Sequence, residues 1–252
     1  MALEIYKKNL QEKVLFKIRN YRLLIKPSLG KNSLMFIHIG KNAGTHINNI
    51  SSKINSLQSE YKIISARHKG TLRDIPKRIP YFFSIRDPIS RFKSAFYSRK
   101  REGFPVYNAP HNRSESKAFS IFKEANDLAE SLFREDSIGE EAFWAMNSIT
   151  HVNTQQFDCF SSVPSFLKYR PPIYIIRTEN FKNDFIKFLL KANIKVSEDE
   201  LNLEKDNNSS HTTIYSDIPS LSELARNNLK IWFKKDYFFY NICSDWLDNK
   251  FH

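Results

Sequence analysis

An α/β fold, built on a central parallel β-sheet flanked by helices and closed by a helical C-terminal part, is what this sequence predicts. Four short segments of apolar, β-branched and aromatic residues, at 34–39, 61–66, 80–85 and 172–177, alternate with helical stretches, and that alternation implies a parallel sheet covered on both faces. A length of 252 residues with 41% hydrophobic and 26% charged side chains suits one soluble domain with a sizeable core. Twenty-one Phe and eleven Tyr against six Gly predict a core filled by aromatic rings, with few places for unusual backbone angles.

Residues 1–30 read as an N-terminal amphipathic helical segment, and 31–252 as the folded domain. Leu3, Tyr6, Leu10, Val14 and Ile18 recur near helical spacing, with lysines and arginines between them. Packing on its own domain is the commoner fate of such a helix; peripheral contact with a membrane surface is the other. The segment 26–30, Lys-Pro-Ser-Leu-Gly, breaks it before the first strand. Residues 102–116 are rich in turn formers and read as a surface or substrate-facing loop. Helical patterns follow over 117–149, a polar loop over 202–213, and two last helices near 219–234 and 236–247.

The chemistry starts in LMFIHIGKNAGTH, residues 34–46, where an apolar strand runs into a short loop and then a helix. Gly40 and Gly44 are expected to supply backbone angles that a Cβ forbids. Successive N–H groups of Asn42, Ala43, Gly44, Thr45 and His46 can then line an anion cradle, with Lys41 adding a charge. The nucleotide-triphosphate loop GxxxxGK[ST] carries its lysine after the last glycine and a magnesium-holding hydroxyl next to it. Here the lysine comes first, which argues against triphosphate hydrolysis.

Strand YFFSIR ends at Arg86; Asp87 is a helix cap and Pro88 suits the first turn. Ile89, Phe92 and Phe96 form one face of that helix, while Ser90, Ser94 and Tyr97 form another. Arg86 from the strand end and Ser94 from the helix side can meet one ligand, and a guanidinium with a hydroxyl suits a terminal phosphate. The bland alternative for Arg86 is an ion pair with Asp87 or a neighbouring acid. For Lys41 it is a surface lysine, and for Arg99, Lys100 and Arg101 a solvated face.

These two segments resemble the motifs of 3′-phosphoadenylyl-sulfate-dependent sulfotransferases, in particular the carbohydrate-type family. FIHIGKNAGTHI is similar to that family's 5′-phosphosulfate loop, PKTGGTS, and IRDPISRFKSAFYS to its 3′-phosphate motif, with an Arg and a Ser eight residues apart. Gly40, Asn42, Ala43 and His46 depart from the loop pattern. The resemblance implies a P-loop-NTPase-like sheet and makes 31–252 a sulfotransferase domain. It implies 3′-phosphoadenylyl sulfate as sulfuryl donor without a required metal, and a hydroxyl acceptor, expected to be carbohydrate. It also points to His68, in ISARHKGTLRDIP, as the catalytic base beside Lys41; neutral imidazole suits that task near pH 7.

The formal charge of +12 predicts attraction for anionic partners. No zinc-finger, basic-zipper or RNA-recognition pattern accompanies it, so nucleic acid is not expected. Cys159 and Cys243 are far apart and lack metal or redox spacing. Neither a signal-peptide core nor a spanning apolar run is read in the N-terminal segment, so a cytoplasmic location is expected. Two rivals stay open: a P-loop nucleotide kinase or NTPase, and a non-catalytic binder of anionic glycans.

Overall fold

The computed structural model describes residues 32–57, 60–66, 70–105, 107–160, 165–201, 203 and 219–251. The N-terminal segment 1–30, His68 and the expected loop at 202–213, Leu203 excepted, lie outside them. The sheet holds β1 (Asn32–Ile37), β2 (Tyr61–Ser65), β3 (Tyr81–Ile85) and β4 (Ile175–Arg177). All pairings are parallel and the order is β2-β1-β3-β4. All of Tyr81–Ile85 is buried, as expected for a central parallel strand covered on both faces. Pro171 and Pro172 withhold two N–H groups, so the fourth strand is shorter than predicted; Ile173 is the first residue there to bond β3, at Tyr81 O (2.8 Å).

Helix α1 (Gly44–Leu57) follows β1 and buries Ile47, Ile50 and Ile54 at helical spacing. After β3, α2 (Pro88–Lys100) starts as predicted, with the Asp87 carboxylate accepting from Ser90 N at 2.8 Å and Pro88 at the first position. The predicted run over 117–149 is three helices: α3 (Arg113–Ile121), α4 (Ala125–Ser131) and α5 (Ser137–Ser148). Asn112 and Glu115 cap α3 reciprocally, so the helix begins inside the expected loop. Phe133 in the left-handed region and the Asp136 cap on Gly139 N separate α4 from α5.

A 3₁₀ turn at Gln156–Cys159 leads to α6 (Ser165–Tyr169), α7 (Phe181–Lys191), α8 (Glu198–Leu201), α9 (Glu223–Trp232) and α10 (Lys234–Phe251). Two cores result. One lies on the sheet, where Phe36, Phe82 and Phe188 stack in succession (5.1 and 4.1 Å between centroids) and α10 adds Phe239, Cys243 and Leu247. The other joins α2, α3, α4, α5 and α9 around Phe92, Phe96, Leu128, Met146 and Leu229. Among the described residues no helix is long and apolar enough to cross a membrane.

Candidate functional site

β1 has β2 on one side and β3 on the other, so the chain reverses its direction of sheet growth between β1 and β3. Ligands of open α/β sheets bind at such a switch point, beyond the carboxyl ends of the strands. The loop 38–43 leaves β1 there, and Arg86 leaves β3 beside it.

The loop's unusual backbone angles are not where the glycines predict them. Lys41 (φ 69°) and Ala43 (φ 59°) occupy the left-handed region, at a cost of about 1–2 kcal/mol each. Gly44 is needed for close approach instead. A Cβ there would stand 1.9 Å from His38 Nε2. His38, expected inside the strand, lies just past its end and stacks on Phe36. Beyond the loop, Ile47 N is the first N–H of α1 to bond back, to Ala43 O at 2.9 Å. The N–H groups of Gly44, Thr45 and His46 therefore have no acceptor within the helix, and they are the donors an anion meets at a helix start. Thr45 is exposed, and His46 packs at 4.6 Å from the Phe181 ring.

Asn42 requires a correction. Its N–H was expected in the cradle, yet it bonds within the loop, and the fully buried side chain turns inward, donating from Nδ2 to Ser84 O (2.9 Å) and Gln156 Oε1 (2.6 Å). Its own carbonyl accepts from Ser84 Oγ at 2.5 Å, and its N–H goes to Ile39 O. Asn42 is thus the anchor between the two residues in the left-handed region. Gln156 continues the network: Oε1 also accepts from Arg86 N (3.0 Å), and Nε2 donates to Arg86 O (2.8 Å). The Asp236 carboxylate on α10 accepts from the N–H groups of Gln156 and Phe157, at 3.0 Å each.

Two guanidinium groups grip the loop from β3 and α2. Arg86 Nη1 donates to Lys41 O at 3.2 Å; Arg91 Nε donates to Gly40 O at 3.0 Å, and its Nη1 to Thr154 O at 2.8 Å. Asp87, the rival partner for Arg86, is engaged by the α2 cap and by the Tyr237 hydroxyl. Ser94 lies one helical turn beyond Arg91 on α2 and is 3% exposed. The sequence motifs at 40–46 and 86–94 therefore meet, with Ser94 beneath the surface.

Lys41 is the electrostatic centre. Burial first, then the charges of Arg86, Arg101, Arg91 and Arg99, push its pKa down to about 8. Among the described residues no carboxylate pairs with it. Arg99 and Lys100 are not a solvated face: Arg99 is buried in a bidentate pair with Glu115 (both 2.7 Å), and Lys100 meets Glu124 at 2.7 Å. Arg101 has no such carboxylate among the described residues, and its Nη2 is buried without a partner.

Sequence reasoning missed Gln156, Asp236 and the support role of Arg91. Arg91 shares the segment 91–101 with Lys93, Arg99, Lys100 and Arg101, and nothing in that run of basic residues marks it as buried. Gln156 and Asp236 lie 70 and more residues from the segments they hold, outside any recognisable motif. Compared with known protein families, curated proteins and solved structures, the chain has no match.

Proposed function

We propose that this chain transfers a sulfuryl group from 3′-phosphoadenylyl sulfate to a hydroxyl, on a carbohydrate acceptor, with release of adenosine 3′,5′-bisphosphate, and that its sheet is of the P-loop-NTPase kind. The observation that carries the reading is a partly buried Lys41 close to Arg86, Arg91, Arg99 and Arg101 and, among the described residues, with no carboxylate paired to it, at the switch point of a parallel sheet. A cation so placed is costly until an anion completes it. The two motifs, in the order of the carbohydrate-type sulfotransferases, support a phosphosulfate as that anion.

In this mechanism the acceptor oxygen attacks sulfur while His68 takes its proton. The bond from sulfur to the bridging phosphate oxygen breaks, and its electron pair stays on the departing bisphosphate. Lys41 and the N–H groups of Ala43, Gly44, Thr45 and His46 offset the charge growing on that oxygen and on the sulfuryl group. Arg86 and Ser94 hold the 3′-phosphate. Fixed donors and a lysine do here what magnesium does in kinases.

Calorimetry with adenosine 3′,5′-bisphosphate in a chelator, followed by labelled sulfate transfer to a panel of sugars, tests the reading. Tight metal-independent binding and transfer are expected. Preference for ATP with magnesium would favour a kinase, and no nucleotide binding would favour a glycan binder. His68→Ala is expected to lower turnover about 10²- to 10⁴-fold with bisphosphate affinity retained.

A further inference from the structure

The parallel ladder between β1 and β3 joins Met35, Phe36 and Ile37 to Tyr81, Phe82 and Phe83, and the two chains part beyond it. The segments that carry Lys41 and Arg86 begin where they part. Backbone pairing therefore does not set the separation of these two cations. Side-chain amides take over. Asn42 Nδ2 reaches Ser84 O, and Gln156 pairs with both the N–H and the C=O of Arg86, as a neighbouring strand would. Gln156 Oε1 simultaneously receives Asn42 Nδ2 at 2.6 Å, so one buried carboxamide touches both arms of the site. The Gln156 main chain is held in turn by Asp236, fully buried on α10, whose carboxylate accepts from Gln156 N.

From this juxtaposition we propose that Gln156 is a positioning residue that fixes the spacing of the Lys41 loop and the Arg86 strand end, and so selects ligands with two separated anionic groups. The proposal rests on the reading of Lys41 and Arg86 as two anchors of one doubly anionic nucleotide. A ligand that meets both anchors at their fixed spacing gains from the second contact without a second loss of freedom, whereas a singly anchored ligand gains nothing from the spacing. Gln156 touches neither anion itself. Its effect is confined to how well the two contacts coexist.

The test compares adenosine 3′,5′-bisphosphate with adenosine 5′-monophosphate by calorimetry in the full chain and in Gln156→Met, which keeps the volume and removes the bonds. The native chain is expected to favour the bisphosphate, and Gln156→Met to weaken it about 10- to 100-fold while monophosphate affinity moves by less than about threefold. Gln156→Asn, which keeps an uncharged amide but is one methylene too short to reach both arms, should fall between and decides the matter if Gln156→Met does not fold. Equal loss for both ligands would reduce Gln156 to a general structural role. An unchanged ratio in both variants would overturn the proposal with the two-anchor reading intact. A native chain indifferent to the second phosphate would overturn the two-anchor reading itself, and the positioning role with it.

Discussion

Helix α2 carries buried arginines near both ends, and the two neighbourhoods treat charge in opposite ways. Near its C-terminal end Arg99 is closed into a bidentate pair with Glu115, whose carboxylate also accepts from Thr150 N at 3.1 Å. Although burial opposes it, Arg99 and Thr150 hold the Glu115 pKa down to about 2. Near the N-terminal end Arg91, Arg86 and Lys41 crowd one loop; the nearby carboxylate of Asp236 is occupied by two N–H groups, and burial pushes its pKa up. One end is balanced and serves the fold. The other holds an excess of positive charge, and it lies where two strands part. The same residue type in the same helix is neutralised by a carboxylate at one end and turned onto backbone carbonyls at the other.

The largest expected effect breaks the balanced end. Glu115→Ala leaves Arg99 buried without its partner and should destabilise the protein by about 3–5 kcal/mol in denaturant unfolding. Lys41→Met does the reverse: stability should hold or rise, because a repelled buried cation is gone, while turnover falls about 10²- to 10³-fold in a sulfate-transfer assay. A mutant that lost stability with Lys41 would mean that the excess charge is structural after all.

pH separates the two ends as well. Lys41 is charged below about pH 8 in the unliganded protein, so anion affinity should be full below that value and fall about tenfold per unit above it, read by titration calorimetry. The contribution of Glu115 runs the other way. Its folded pKa is depressed, so its stabilisation is present above the unfolded carboxylate range near 4.5 and is lost as pH falls toward about 2. The smallest effect concerns loop strain. Ala43→Gly should stabilise the fold by up to about 1 kcal/mol in thermal unfolding, since glycine occupies φ 59° without the Cβ penalty.

Much of the frame was legible. The strands around 34–37, 81–85 and 175–177 follow from apolar runs, and the start of α2 follows from Asp87-Pro88, because capping and proline geometry are local. The break of 117–149 into three helices was not read, since Phe133 carries no sequence mark of a left-handed angle. At the site, Lys41 and Arg86 stood out by position relative to strand ends. Asn42 did not reveal its inward turn, because the partners that draw it in, Ser84 O and Gln156, come from other parts of the chain.

The sequence by itself determined that a lysine-bearing loop follows one strand and an arginine ends another, with helices started directly after each. These are short-range patterns of hydrophobicity, glycine and caps. Only the tertiary structure decided that β1 and β3 are neighbours, that Gln156 and Asp236 close the gap between them, and that Arg99 is neutralised while Lys41 is not. The physical reason is that a buried charge or amide is defined by what surrounds it, and those surroundings are assembled from residues that the chain keeps far apart.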